Sequence, residues 1–243
     1  MEMDVSMIRL DKYLADMGIG TRAEVKKQIR QGKVSVDGQI VQSPDIKIDW
    51  NRQKVRVEGK LLSYVTYEYY MLNKPAGVIS ATTDKNEKTV VDLIDSKVRK
   101  DLFPAGRLDK DTEGLLLITN DGDLAHRLLS PKKHVDKVYY ARVRGKVTDE
   151  DVKAFSEGLS IGRGEVAKPS ELLVLVSDEI SKIQLTIQEG KFHQVKRMFH
   201  AVGKEVVYLK RLSMGNLKLD DSLALGAYRP LTKEELEDLQ KLC

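Results

Sequence analysis

The chain has 243 residues, 41% of them apolar, and a formal net charge of +4 from 41 lysines and arginines against 37 aspartates and glutamates. This is the profile of a globular protein with one large domain, or a small domain joined to a larger one, and it excludes disordered and fibrous classes. No run approaches the length of a membrane span and the opening MEMDVSMIRLDKYL has no apolar signal core, so a cytoplasmic protein without membrane attachment is expected.

In chain order, Leu10, Tyr13, Leu14 and Met17 fall at i, i+3, i+4 and i+7, which predicts an amphipathic helix closed by Gly18. T-R-A-E at 21–24 is a capping box that opens a second helix, ending at Gly32. That helix and its exit carry Arg22, Lys26, Lys27, Arg30 and Lys33 against the single acid Glu24. KVSVDGQIV then alternates around Asp37-Gly38, a dipeptide suited to the positive φ angles of a tight hairpin. Helix, basic helix and hairpin make a small α+β module, followed by an expected linker near Glu58–Thr66.

YEYYMLNKPAGVIS reads as strand, turn and second strand, and GLLLIT (114–119) as a short apolar strand. Asn120-Asp121-Gly122 turns into a helix, DLAHRLLS, closed by Pro131. VYYARVRGKV and KIQLTIQ are further strands, HQVKRMFHAVG is a helix ended by Gly203, and Thr232 with Glu235 caps a final helix. Strands and helices do not alternate regularly, so the larger part is expected to be α+β with a mixed, mainly antiparallel sheet. A second basic run spans Lys191 to Arg211, with six cations and two histidines against Glu205. Two local basic faces on a nearly neutral chain fit a polyanion touched at two places, or two solvated helix faces.

The segment GRLDKDTEGLLLITNDGD (106–123) sets Asp109, Asp111 and Glu113 beside Arg107 and Lys110, between two glycines and just before an apolar strand. A carboxylate on such a turn is open to two readings. With Arg107 two residues away it can be held ionised and act as a nucleophile. It can also be a charged surface turn, where Asp and Gly are common for conformational reasons.

Residues 7–62, through RLDKYLADMGIGTRAEVKKQIRQGKVSVDGQIV, resemble an S4-type RNA-binding domain. The remainder resembles the pseudouridine synthases, in the RsuA-type branch that acts on small-subunit ribosomal RNA. The motifs are G-R-L-D-x-D-T-x-G-L-L with T-N-D-G, NKPAG at 73–77, K-x-Y at 137–139, EGKFHQVKRMFHAVGKEVV at 189–207 and GAYRPLTKEEL at 226–236. The resemblance implies two domains, 1–62 and 63–243, and the isomerisation of one uridine in RNA. It implies Asp109 as the catalytic aspartate, Arg107 approaching the flipped nucleotide, Tyr139 stacking on the base, and Lys196 pairing with the aspartate, with Arg197 as an alternative. Arg22, Lys26, Lys27, Arg30, Lys33, His193 and Arg197 are the implied RNA contacts. F-H-Q-V-K-R-M-F at 192–199 favours the small-subunit RNA, because relatives acting on large-subunit RNA tend to carry Asn-Arg where Phe192-His193 stand.

The isomerisation has no redox change, so no cofactor is expected, and a monomer is the default for the family. Cys243 alone permits neither a disulfide framework nor a thiolate metal site, and His193 with His200 lacks further ligands at zinc spacing. Tyr139 and Tyr140 face opposite sides of a strand, so one is core. Ile187 is expected in the sheet core, and Glu189-Gly190-Lys191 is expected to be a turn without further role. The rivals are the same chemistry on large-subunit RNA, a non-catalytic ribosome-assembly factor, and a glycosidase using Asp109 with Asp111.

Overall fold

The structure, a computed structural model, describes residues 7–242, and the lone Cys243 lies outside the described residues. The chain divides into two compact units. One runs to Glu68 and takes in Ser96–Leu102; the other is Tyr69–Asp95 with the chain from Phe103 onward.

The first unit contains β1 (Met7–Arg9), α1 (Leu10–Asp16), α2 (Arg22–Arg30), β2 (Val34–Val36), β3 (Gln39–Ile40), β4 (Lys47–Asp49), β5 (Val55–Val57) and β6 (Lys60–Leu62). The α1 stripe Leu10, Tyr13, Leu14 and Met17 packs on Val25 and Ile29 of α2 and on Val34, Val36 and Val55 of the sheet. The capping box forms as expected: Glu24 N donates to Thr21 Oγ1 at 3.3 Å, and Thr21 N to Glu24 Oε2 at 2.7 Å. Asp37 and Gly38 both take positive φ, 51° and 85°, and join β2 to β3. The stretch Glu58–Thr66 differs from the expected linker. Glu58 and Gly59, with φ of 47° and 81°, close a second hairpin between β5 and β6. Glutamate is an unusual first turn residue. Here it is held by Lys33, whose carbonyl accepts from Glu58 N at 2.8 Å and whose ammonium donates to Glu58 Oε1 at 2.8 Å.

The second unit contains β7 (Tyr69–Lys74), β8 (Phe103–Pro104), β9 (Glu113–Thr119), α3 (Gly122–Leu129), β10 (Lys137–Arg144), α4 (Asp149–Glu157), β11 (Leu159–Ser160), β12 (Val166–Ala167), β13 (Glu171–Val176), β14 (Ile180–Ile187), α5 (Gln194–Ala201), β15 (Glu205–Met214), β16 (Leu217–Lys218), β17 (Tyr228–Pro230) and α6 (Lys233–Lys241). Its sheet has the order β13-β14-β10-β15-β9-β7-β17, and all neighbours on that path are antiparallel except β15 with β9. This is the expected α+β architecture with a mixed, mainly antiparallel sheet. Leu115 to Ile118 of β9 are fully buried, as a central strand covered on both faces requires. Asp121 caps α3 through Leu124 N at 2.9 Å. The second strand expected after NKPAG does not form, and only an isolated bridge links Ile79 to Thr89. Helix α5 begins at Gln194, one residue later than expected, because His193 takes a left-handed φ of 50° and becomes its N-cap. No helix among the described residues is long and apolar enough to cross a membrane.

Candidate active site

The turn between β8 and β9 carries the carboxylates, and its shape is fixed from below. Gly114 has φ 99°, and a Cβ there would collide with the backbone of Arg211, so the chain can enter β9 beside β15 only with glycine at this position. Ser80 Oγ donates to Leu108 O at 2.8 Å and accepts from Leu108 N at 3.1 Å. Gly77 N donates to Lys110 O at 2.8 Å. Lys74, at the end of β7, is wholly buried under the turn. Its ammonium donates to the carbonyls of Pro75 (3.0 Å), Lys110 (3.2 Å) and Thr112 (2.9 Å). All three of its protons are used, so one buried cation ties the NKPAG turn to the carboxylate turn. Burial pushes the Lys74 ammonium down to about 8, against the pull of Asp111, Asp109 and Glu113.

Above this clamp Asp109 meets α5. Its Oδ2 lies 3.5 Å from Lys196 Nζ and its Oδ1 3.7 Å from His193 Nε2, with the side chain 23% exposed. Lys196 also donates to both oxygens of Asp111, at 2.6 and 2.8 Å. Partial burial opposes ionisation of Asp111, but the Lys196 ammonium outweighs it and holds that carboxyl below its ordinary range. Asp109 and Tyr139 line a small recess of about 60 Å³, shared with Arg107, Thr112, Ile187, His193 and Leu209, and both residues also border an adjoining groove of about 730 Å³. A carboxylate that is partly open, cation-flanked and beside an aromatic ring can attack an electron-poor carbon of a bound nucleoside.

The structure brings Asp109, Arg107, Tyr139, Lys196 and His193 to one place. Arg107 is exposed and lines both spaces, but the cation beside Asp109 is Lys196, the residue the resemblance implies, whereas proximity in sequence alone points to Arg107. Tyr139 is buried against the recess, while Tyr140 points to the other face and meets Tyr208 edge-on at 6.1 Å. Ile187 is both sheet core and recess lining.

Arg197 is neither a partner of Asp109 nor a free contact. Its guanidinium donates to Ile161 O (2.9 Å), Gly162 O (2.8 Å) and Phe192 O (3.2 Å) and pairs with Glu165, so it holds the 161–165 turn. Glu189 is more than a turn residue. It is buried and accepts from Lys168 N (2.8 Å), Lys191 Nζ (2.9 Å) and Gln194 Nε2 (2.7 Å), which fixes the approach to α5. In the first unit Arg22, Lys27 and Arg30 are exposed, whereas Lys26 pairs with Asp11 at 3.7 Å and Lys33 with Glu58 at 2.8 Å. Sequence reasoning missed Lys74 as the clamp, and it missed Thr112, whose buried hydroxyl has no partner among the described residues. A separate cleft of about 450 Å³ is lined by Asp136 and Glu171 and by no cation, so it does not suit a polyanion.

Comparison with known proteins shows the family. The family described as RNA pseudouridylate synthase matches residues 68–201, and the S4 domain matches residues 8–49. A Bacillus subtilis protein named "Uncharacterized RNA pseudouridine synthase YtzG" is 50% identical over 96% of this chain and 99% of its own length. The proteins named "Ribosomal small subunit pseudouridine synthase A" from Yersinia pestis and Escherichia coli K12 are 42% and 40% identical, each over 94% of this chain and 97% and 98% of their own lengths. A solved structure titled "Crystal structure of pseudouridylate synthase" superposes with a TM-score of 0.67 at 39% identity, over 96% of this chain and 99% of that one. The chain belongs to the RNA pseudouridylate synthase family, enzymes that isomerise uridine in RNA, and carries an S4 domain ahead of the synthase domain.

Proposed function

We propose that this enzyme isomerises one uridine of small-subunit ribosomal RNA, with Asp109 as the group that acts on the nucleoside. The observation that carries the reading is the Asp109 carboxylate, 3.5 Å from Lys196 Nζ and on the same recess as Tyr139. A base in a folded RNA must leave its stack to be reached, and the Tyr139 ring replaces part of the lost stacking. Lys196 keeps a countercharge beside Asp109, and Arg107 at the open edge meets the flipped nucleotide. The N1–C1′ bond breaks and a C5–C1′ bond forms. The proton lost from C5 is balanced by one gained at N1, so no oxidant, reductant or cofactor enters. Attack of Asp109 on C1′ and partial action as a base are both compatible with its position.

In this reading residues 1–62 dock RNA and 63–243 perform the chemistry. Arg22, Lys27 and Arg30 supply the free phosphate contacts, and Lys26 and Lys33 exchange their carboxylates for phosphate on binding. His193, half-buried and 3.7 Å from Asp109, meets RNA at the mouth of the recess. The small-subunit target is supported by the Yersinia and Escherichia relatives and by Phe192-His193. The protein acts as a monomer in the cytoplasm.

The test incubates purified protein with small-subunit and large-subunit ribosomal RNA and maps pseudouridine by carbodiimide treatment and reverse transcription. A single new site in the small-subunit RNA is expected. A site in the large-subunit RNA alone moves the target, and RNA bound without any pseudouridine overturns the catalytic reading.

A further inference from the structure

The groove holds two cations that the proposed reaction leaves without a task. Lys137 and Arg211 lie on adjacent strands, on the same face as Tyr139: Lys137 two residues before it in β10, and Arg211 opposite it in β15. Both line the groove, yet only 5% of Lys137 and 2% of Arg211 is exposed. A buried cation is costly unless a carboxylate or a full set of acceptors meets it. Neither residue has that match. Lys137 Nζ donates to Val135 O at 3.1 Å, one bond of the three it can make. Arg211 Nε donates to Leu115 O at 2.8 Å, while its Nη2 is buried without a partner. Burial, with the Arg211 charge adding to it, pushes the Lys137 amine down to about 8 against the pull of Asp136.

Other buried cations of this chain are matched. Lys74 meets three carbonyls, and Arg99 in the first unit meets both oxygens of Asp101 and the Val65 carbonyl. Asp109 is the one carboxylate among the groove-lining residues, and the lining lysines Lys110 and Lys191 are engaged by Glu87 and Glu189. The free positive charge of the groove therefore sits on Arg107, Lys137 and Arg211.

We propose that Lys137 and Arg211 form a subsite for one phosphate of the RNA backbone next to the uridine held in the groove. The inference rests on the groove being the RNA site and deepens that reading. A phosphate has oxygens enough to accept from Arg211 Nη2 and from the spare Lys137 protons at once, and its charge cancels their mutual repulsion. Anchored there, the nucleotide is fixed by its backbone beside the Tyr139 ring, leaving the base free to turn between its two bonded states.

The experiment measures binding of uridine, uridine 5′-monophosphate, uridine 3′-monophosphate and inorganic phosphate to the full chain by calorimetry. One of the two monophosphates is expected to bind about tenfold or more tightly than uridine. Lys137→Met and Arg211→Met should each erase that advantage and leave the Kd of uridine unchanged. Equal binding of uridine and both monophosphates, or an advantage that survives in both variants, overturns the subsite. Inorganic phosphate that binds as tightly as the favoured nucleotide overturns the backbone as its source. If the variants lose their thermal unfolding transition, the unaltered protein decides. Acetic anhydride labelling of Lys137, read by mass spectrometry, should fall about threefold or more with the favoured monophosphate while exposed Lys146 labels as before, and unchanged labelling of Lys137 overturns the proposal. Binding needs no turnover, so a protein that formed no pseudouridine would still be tested. Isomerisation without any phosphate advantage removes the subsite alone.

Discussion

Helix α2 and the groove beside β10 and β15 both present cations, in opposite surroundings. On α2, Arg22, Lys27 and Arg30 stand in water on a helix whose other side packs Val25 and Ile29 into the core. In the groove region, Lys74, Lys137 and Arg211 are sunk into the protein. Solvated cations attract any polyanion, keep their side-chain freedom and weaken as salt rises. Buried cations keep little freedom and are exposed to little screening, so their position is specified by the strands that carry them. The first kind supplies affinity that ignores where the RNA chain lies. The second kind supplies placement. In the function and subsite proposed above, one nucleotide must be brought to one carboxylate, which needs both kinds, and this chain puts them in separate units.

The largest break in that comparison is at the carboxylate itself. Asp109→Asn should lower isomerisation at least about a thousandfold, in keeping with loss of a reacting group, while RNA affinity by filter binding stays within about twofold, because the substitution removes an anion and no phosphate contact. Full turnover by this variant would remove the mechanism. Next in size is Lys196→Met. Its ammonium faces both Asp109 and Asp111, so its loss leaves two carboxylates close together without their cation. Single-turnover kcat should fall about ten- to a hundredfold with little change in KM, as for an interaction made chiefly at the reacting centre. A change confined to KM would show that Lys196 serves binding alone.

What was legible in the sequence follows the same division. The α2 module is written in local signals: the T-R-A-E box, the Asp37-Gly38 turn and the i, i+3, i+4 stripe are satisfied within a few residues, and the helices and hairpin form where they predict. The second hairpin escaped because its turn opens on Glu58, whose fitness there depends on Lys33, 25 residues earlier. The carboxylate turn stood out by composition and family pattern, but its electrostatics could not be read from local sequence. Arg107 is near Asp109 in sequence, yet the cation that reaches the turn is Lys196, 85 residues beyond Asp111, which only the family pattern pointed to. His193 was expected inside a helix, yet it takes a left-handed backbone as the cap of α5, which no local pattern records. Arg197 looked like a free cation for the same reason, since the carbonyls of Ile161 and Gly162 that engage it come from a turn far away in the chain. Lys74 read as part of the NKPAG turn and Arg211 as the end of a basic run, with no strand expected over 205–214. Only the sheet order, which sets the β7 end below one turn and β15 against β9, reveals that they are buried.

The two kinds of cation should also separate by salt. Replacing Arg22, Lys27 and Arg30 together by Ala should weaken RNA binding about tenfold at moderate salt and flatten the slope of log affinity against log salt by about two, at about 0.7 per phosphate contact on single-stranded RNA. Lys137→Met alone should change that slope by no more than about one. An unaltered slope in the triple variant would show that α2 does not meet phosphate.

The smallest effect is the most discriminating, because it sets stability against activity. Lys74 titrates at about 8 in the fold against an ordinary 10.5, with burial as the cause. Below pH 8 the amine is charged in the folded and unfolded chain alike, and the burial cost is fully present. Between about 8 and 10.5 the unfolded chain binds the extra proton, so this group adds stability as pH rises, by up to about 1.4 kcal/mol per pH unit. Activity should move the other way. A neutral amine has two protons for the three carbonyls of Pro75, Lys110 and Thr112, so the turn that carries Asp109 loses one tie. The expected result is a kcat that falls about two- to fivefold from pH 7 to 9 at saturating RNA, a modest size because one hydrogen bond of three is lost. Lys137, whose amine burial also pushes down to about 8, would act through the phosphate of the proposed subsite and should instead raise KM over the same range. Chemical denaturation at each pH follows the stability side. In Lys74→Met the kcat limb should be absent while the KM limb persists, and a kcat limb that remains in this variant would assign the alkaline loss to another group and leave Lys74 as a buried strut without influence on the carboxylate turn.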